Sequence, residues 1–176
     1  MRKALGIVGL SLGAALLAAS PAPAPAQQGP IKIGEINSYT AIAGFTVPYR
    51  NGWTLAVEEI NAAGGVLGRP LEVVSRDDGG KPEDAVRIAG ELVSNEKVAL
   101  LAGTFLSNIG LAVADYATQN KVLFLAAEPL TDAIVWQKGS PYVFRLRPST
   151  YMQAAMLAEE AAKLPARRWA TIAPNY

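Results

Sequence analysis

From Ile31 onward the chain alternates between two hydrophobic periods, and that alternation constrains its fold more than any other feature. IKIGEIN (31–37) is an apolar run of strand length. PYRNGWTLAVEEINAAGG follows, with Trp53, Ala56, Val57 and Ile60 at i, i+3, i+4 and i+7, which is one face of a helix. PLEVVSR (70–76) reads as strand and PEDAVRIAGELVSN (82–95) as helix. That helix has Pro82 in its first turn, Glu83 and Asp84 at its positive end, and Ala85, Ile88, Ala89 and Leu92 along one face. VALLAG (98–103), a helix around 109–119, VLFLAA (122–127), a short helical turn after Thr131 and YVFRLR (142–147) continue the series. TYMQAAMLAEEAAKL (150–164) is helical in period, and RWATIAP (168–174) reads as a further strand. Apolar strands separated by helices predict an α/β fold, a doubly wound parallel sheet with right-handed crossovers.

The glycines fit that plan. Gly64, Gly65 and Gly68 sit where the first helix must end and the chain must turn sharply into the second strand, a place that calls for positive φ. Asp77 and Asp78 fall at the carboxyl end of that strand, the edge where open α/β sheets bind ligands. Adjacent residues there point apart, and Asp-Asp-Gly is ordinary turn chemistry, so the pair is read as structural rather than as an acid/base pair or a metal site.

Residues 1–26 lie outside this pattern. Arg2 and Lys3 precede an uncharged apolar run over 4–19, and SPAPAPA supplies a small-residue exit with cleavage expected after Ala26. Together these describe a secretory signal peptide, and the run is shorter than the ~20 residues a membrane span requires. With no cysteine there is neither a disulfide framework nor a lipid-attachment site, and the expected destination is a bacterial periplasm. Lys and Arg total 16 against 15 Asp and Glu and are interspersed, which argues against nucleic acid and against a membrane surface as partner.

The sequence contains no histidine and no cysteine, which removes the commonest nucleophile–base pairs and zinc or thiol chemistry. After the first strand stands NSYTAIAG rather than a G-x-G-x-x-G fingerprint, so a dinucleotide enzyme is not indicated, and no cofactor is expected. GTFLSNIG places Ser107 and Asn108 at the start of a helix that follows a strand, a position that offers free N–H groups to an anion. From these residues alone, a helix cap and a carboxylate-binding loop are equally good readings.

IKIGEIN, EEINAAGGVLGRPLEVVSRDD, GTFLSN, VLFLAAEPLTDAI and YVFRLRPS, in that order, resemble the leucine/isoleucine/valine-binding family of type I periplasmic solute-binding proteins, over essentially all of 31–176. The resemblance implies two α/β lobes joined by hinge strands, with a small solute held between them and delivered to the membrane permease subunits of an ABC importer. It divides the chain into a signal peptide (1–26), a ligand-binding lobe (27–148), and a crossover helix with the first strand of a second lobe (149–176). Most of that second lobe is expected to be missing from this chain. The family's carboxylate-binding serine falls on Ser107, with Asn108 beside it; its aromatic residue falls near Phe45 or on Tyr39. Its small residue and threonine after the fourth strand fall nearest Ala127, Glu128 and Thr131. Glu128 departs from the family pattern, because a carboxylate there attracts an ammonium or amide and repels an acid. The solute classes implied are a branched-chain or related amino acid, an amide or an aromatic carboxylate, and the alternative role is a periplasmic ligand sensor.

Overall fold

The computed structural model describes residues 29–172; the expected signal peptide at 1–26 lies outside them. The elements run β1 (Ile31–Asn37), α1 (Ala43–Ala62), β2 (Leu71–Asp77), α2 (Pro82–Ser94), β3 (Leu100–Gly103), α3 (Ser107–Asn120), β4 (Phe124–Ala126), α4 (Ala133–Trp136), β5 (Val143–Arg145) and α5 (Thr150–Ala161). The strands form one parallel sheet in the order β2-β1-β3-β4-β5. β1 is therefore central, and the winding reverses between β1 and β3. Right-handed crossovers then place α1 on one face and α2, α3 and α4 on the other.

The two faces are covered very unequally. On the α2/α3 face, Ile36, Leu101, Phe124, Ala126 and Val143 from the strands meet Ala85, Ile88, Ala89 and Leu92 of α2 and Ile109, Val113, Ala114 and Ala117 of α3. The α2 face read from the sequence is the buried one, and Pro82 stands at its start. On the opposite face Leu125 is 37% and Phe144 55% exposed. The alternation of the strands carries these side chains away from the core.

α1 departs from expectation in two ways. It begins at Ala43, so Pro48 lies inside it rather than at its first turn. The Thr46 hydroxyl donates to the Ile42 carbonyl, giving this first turn a hydrogen bond beyond the backbone ladder that the ring of Pro48 interrupts. In addition, the face carrying Trp53, Ala56, Val57 and Ile60 is not buried among the described residues; Thr46 is the helix's buried residue. The predicted strand over 168–174 is not formed through Ile172, where the sheet offers it no partner; Trp169 and Ile172 are exposed. The glycine turn is as expected: Gly64, Gly65 and Gly68 have φ of 102, 74 and 74°. At Gly65 a β-carbon would stand 2.1 Å from the Arg69 carbonyl oxygen.

Candidate functional site

The carboxyl edge of the sheet at the β1/β3 reversal collects the polar side chains that the core excludes. β1 ends in Glu35, Ile36 and Asn37; with Ser38 and Thr104 these place four fully or almost fully buried polar residues around one apolar one. β3 ends in Gly103 at φ 103°, followed by Thr104 at φ 60°. A β-branched residue in the left-handed region is strained. The conformation turns the chain so that the Thr104 N–H donates to the Ile36 carbonyl at 2.6 Å. It also carries Phe105, Leu106 and Ser107 out over the edge. A β-carbon on Gly103 would meet the Ile36 oxygen at 2.5 Å and Glu35 Oε1 at 2.9 Å, so this crossing requires glycine.

Asn37 organises the next layer. Its side-chain oxygen accepts from the Ser38 N–H at 3.0 Å, and its Nδ2 donates to Glu128 Oε2 at 3.0 Å. Two positions before it on the same face of β1, Glu35 accepts from the Ser75 hydroxyl at 2.6 Å. Glu35 Oε1 and Thr104 Oγ1 are buried without a hydrogen-bond partner. Burial pushes the Glu35 carboxyl up to about 7, against the pull of the Ser75 and Tyr39 hydroxyls, and negative charge at Asp78 and Glu128 adds to the rise. Burial also raises Glu128, opposed by Asn37 and the nearby charge of Arg147. The Tyr39 phenol is pushed up to about 12 by burial and by Glu35.

The residues expected from sequence take the following places. Ser107 is the first residue of α3, with Leu106 in the cap position, and Asn108 beside it is exposed. Phe45, in the first turn of α1, lies 5.3 Å from the ring of Phe105, which brings α1 and the β3–α3 loop together as one aromatic wall. Tyr39 accepts from the Trp53 indole N–H at 3.4 Å, and the Arg50 guanidinium lies 4.8 Å from its ring centroid. Glu128 faces the same edge through Asn37. Ala127 is buried, and its N–H is taken by the Gly103 carbonyl. Thr131 is turned to local structure: its hydroxyl accepts from the Ala133 N–H and its carbonyl from Arg145. Asp77 and Asp78 diverge. Asp77 accepts from Thr40 and Gly79 N–H groups on the surface, whereas Asp78 is buried and accepts from the Ser38 hydroxyl at 2.6 Å and the Gly80 N–H.

Residues of this edge that escaped the sequence reading include Glu35, Asn37, Thr104 and Phe105. Glu35 had a signal, since a carboxylate inside an apolar strand is out of place unless something needs it. Among the described residues no group of histidine, cysteine or carboxylate side chains could hold a metal ion. No described helix is long and apolar enough to cross a membrane.

A family model described as periplasmic binding protein matches residues 30–176. The Leu/Ile/Val-binding protein BraC3 of Rhizobium johnstonii is 31% identical over 85% of this chain and 40% of its own length. Among solved structures, a solute-binding protein of an ABC transporter from Rhodopseudomonas palustris, in complex with 3,4-dihydroxybenzoic acid, superposes with a TM-score of 0.69 at 30% identity, covering 76% of this chain and 36% of that one. An ABC transporter substrate-binding protein from Desulfitobacterium hafniense in complex with Leu gives 0.68 at 30% identity, over 76% and 38%. The chain thus spans about two fifths of the length of the relatives it matches.

Proposed function

The chain belongs to the periplasmic binding protein family, and from that membership we propose that it serves as the substrate-binding component of an ABC importer, holding a small polar solute at the carboxyl edge of its sheet. One observation carries the reading. Asn37, Tyr39, Phe45, Phe105, Ser107 and Glu128, from four separate segments, converge on the edge where the winding reverses. That is where open α/β sheets take ligands.

In this proposal residues 27–148 form one lobe and 149–176 lead toward a second, in a protein exported to the periplasm by residues 1–26. The edge is one wall of a cleft, and hinge closure of a second lobe supplies the other before the protein docks on its permease subunits. Ser107 and the start of α3 receive a carboxylate, aided by the positive end of the helix. The Phe45–Phe105 wall covers the apolar part of the solute. No step of bond making is assigned, and the role is binding rather than catalysis.

The test is a thermal-shift screen of the full-length protein against amino acids, amides and aromatic acids. A solute with micromolar affinity, present at about a thousandfold excess over its Kd, stabilises the folded state by roughly 4 kcal/mol. A screen in which no member of these classes raises Tm contradicts the proposal.

A further inference from the structure

We propose that Asp78 is a positioning residue for the solute edge: from the turn after β2 it fixes the neighbouring β1–α1 loop, and with it Tyr39 and the start of α1, in the arrangement a solute meets. The inference rests on the solute-binding reading above and adds to it a residue that itself touches no solute.

β1 and β2 end level, with Asn37 paired to Asp77, so the loop that leaves β1 runs beside the turn that leaves β2. The two aspartates of that turn take hold of alternate residues of the loop. Asp78 Oδ1 accepts from the Ser38 hydroxyl at 2.6 Å, and Asp77 Oδ2 accepts from the Thr40 N–H at 3.2 Å. Tyr39 stands between the two held residues, its hydroxyl against the Trp53 indole of α1 and its ring beside the Arg50 guanidinium. The Asp78 N–H donates to the Asn37 carbonyl at 3.0 Å and closes the join. Gly80, at φ 79°, lets the turn lie against the loop, since a β-carbon there would stand 3.0 Å from that of Ala41.

The hold passes on into the helix. The Ser38 carbonyl accepts from the Ile42 N–H at 2.9 Å, and the Ile42 carbonyl accepts from the N–H groups of Phe45 and Thr46 at 3.1 and 3.2 Å. Phe45 in turn lies against Phe105. A continuous chain of hydrogen bonds thus runs from Asp78 to one side of the aromatic wall.

Turn chemistry accounts for only part of this arrangement. An aspartate in an Asp-Gly turn is served by the turn's own N–H, as Asp78 Oδ1 is by Gly80 at 2.8 Å, and needs no burial for it. Asp78 is instead 1% exposed, joins no described ion pair, and has its Oδ2 buried without a hydrogen-bond partner. Burying a carboxyl in this state is costly, and the short bond from Ser38 is what the burial secures. That bond spans 40 positions of sequence and serves the loop rather than the turn.

The test reads the loop and the binding separately, in the full-length protein labelled with fluorotryptophan, the Trp53 resonance being assigned with Trp53→Phe. The solute probes are L-leucine and 3,4-dihydroxybenzoate, the ligands of two related structures, or a hit from the thermal-shift screen. Ser38→Ala and Asp78→Ala remove the bond from either side. Both are expected to shift the Trp53 fluorine resonance and to weaken the probe that binds by about tenfold. Asp78→Asn keeps an acceptor in the same place and is expected to restore the resonance and all but about threefold of the affinity. Leu92→Ala, in the α2 core away from this loop, is expected to lower Tm and to produce neither effect. If Asp78→Ala does not fold, Ser38→Ala decides alone. An unmoved Trp53 resonance, or an unchanged affinity, in Ser38→Ala overturns the proposal. An equal loss of affinity in Leu92→Ala also overturns it, because the loss then follows stability and not the loop. If no solute binds the unsubstituted protein while Ser38→Ala still moves Trp53, the solute-binding reading falls and the positioning of the loop stands.

Discussion

Single residues at the carboxyl edge carry measurable consequences before any ligand is known. Glu35 is an acid raised from 4.5 to about 7 in the folded chain. The native state therefore holds its proton where the unfolded state has released it. The associated stability is complete below pH 4.5 and is lost as pH rises through 7, on the order of 3 kcal/mol in all. Asp78 and Glu128 are shifted in the same direction. Urea unfolding of the full-length protein at pH 5 to 8 is thus expected to show stability falling with pH, with Glu35→Gln reducing that slope; parallel profiles for the two proteins would contradict it. Ser107 admits a second test. Ser107→Ala in the full-length protein is expected to weaken a carboxylate solute by about 1–3 kcal/mol. A Tm loss with unchanged affinity would make Ser107 a purely structural residue.

At the scale of elements, what the sequence revealed and what it hid have separate physical causes. The strand and helix order was readable because the elements carry continuous apolar faces, buried on α2 as Ala85, Ile88, Ala89 and Leu92 and left open on α1. Gly65 was readable because only glycine tolerates its turn. The start of α1 was not, since Pro48 looks like a first-turn residue and only the Thr46 and Ile42 contacts show otherwise. Thr104 was invisible for a related reason: its left-handed φ is imposed by Gly103 crossing over Ile36, a tertiary event with no local signature. Phe105 joined the site through the same turn. The uneven covering of the sheet predicts uneven tolerance. Leu92→Ala on α2, at 1% exposure, is expected to cost about 2–5 kcal/mol, whereas Ile60→Ala on α1, at 38%, costs under about 1 kcal/mol. Chemical denaturation of the two variants checks this, and equal losses would mean that α1's apolar face is covered in the full-length protein.

For the whole molecule, one face of the sheet is left open among the described residues, with Leu125 37% and Phe144 55% exposed on it. The proposed role begins with export. Expressed in a Gram-negative host, the protein is expected in the periplasm with Gln27 at its N-terminus; mass spectrometry finding an intact Met1 in the mature pool would overturn the leader assignment.

The Asn37–Glu128 hydrogen bond joins residues 91 positions apart. β1 pairs with β2, its neighbour in sequence, on one side and, across the reversal, with β3 on the other. Loop-closure entropy makes distant pairings slow to form, so this carboxyl edge is expected to be completed late on the folding path. Substitutions at Glu128 should consequently appear in the unfolding limb of a chevron plot and scarcely in the refolding limb. A solute that bridges this edge, by the same logic, acts as a brake on unfolding: it lengthens the lifetime of the native lobe without hastening its assembly.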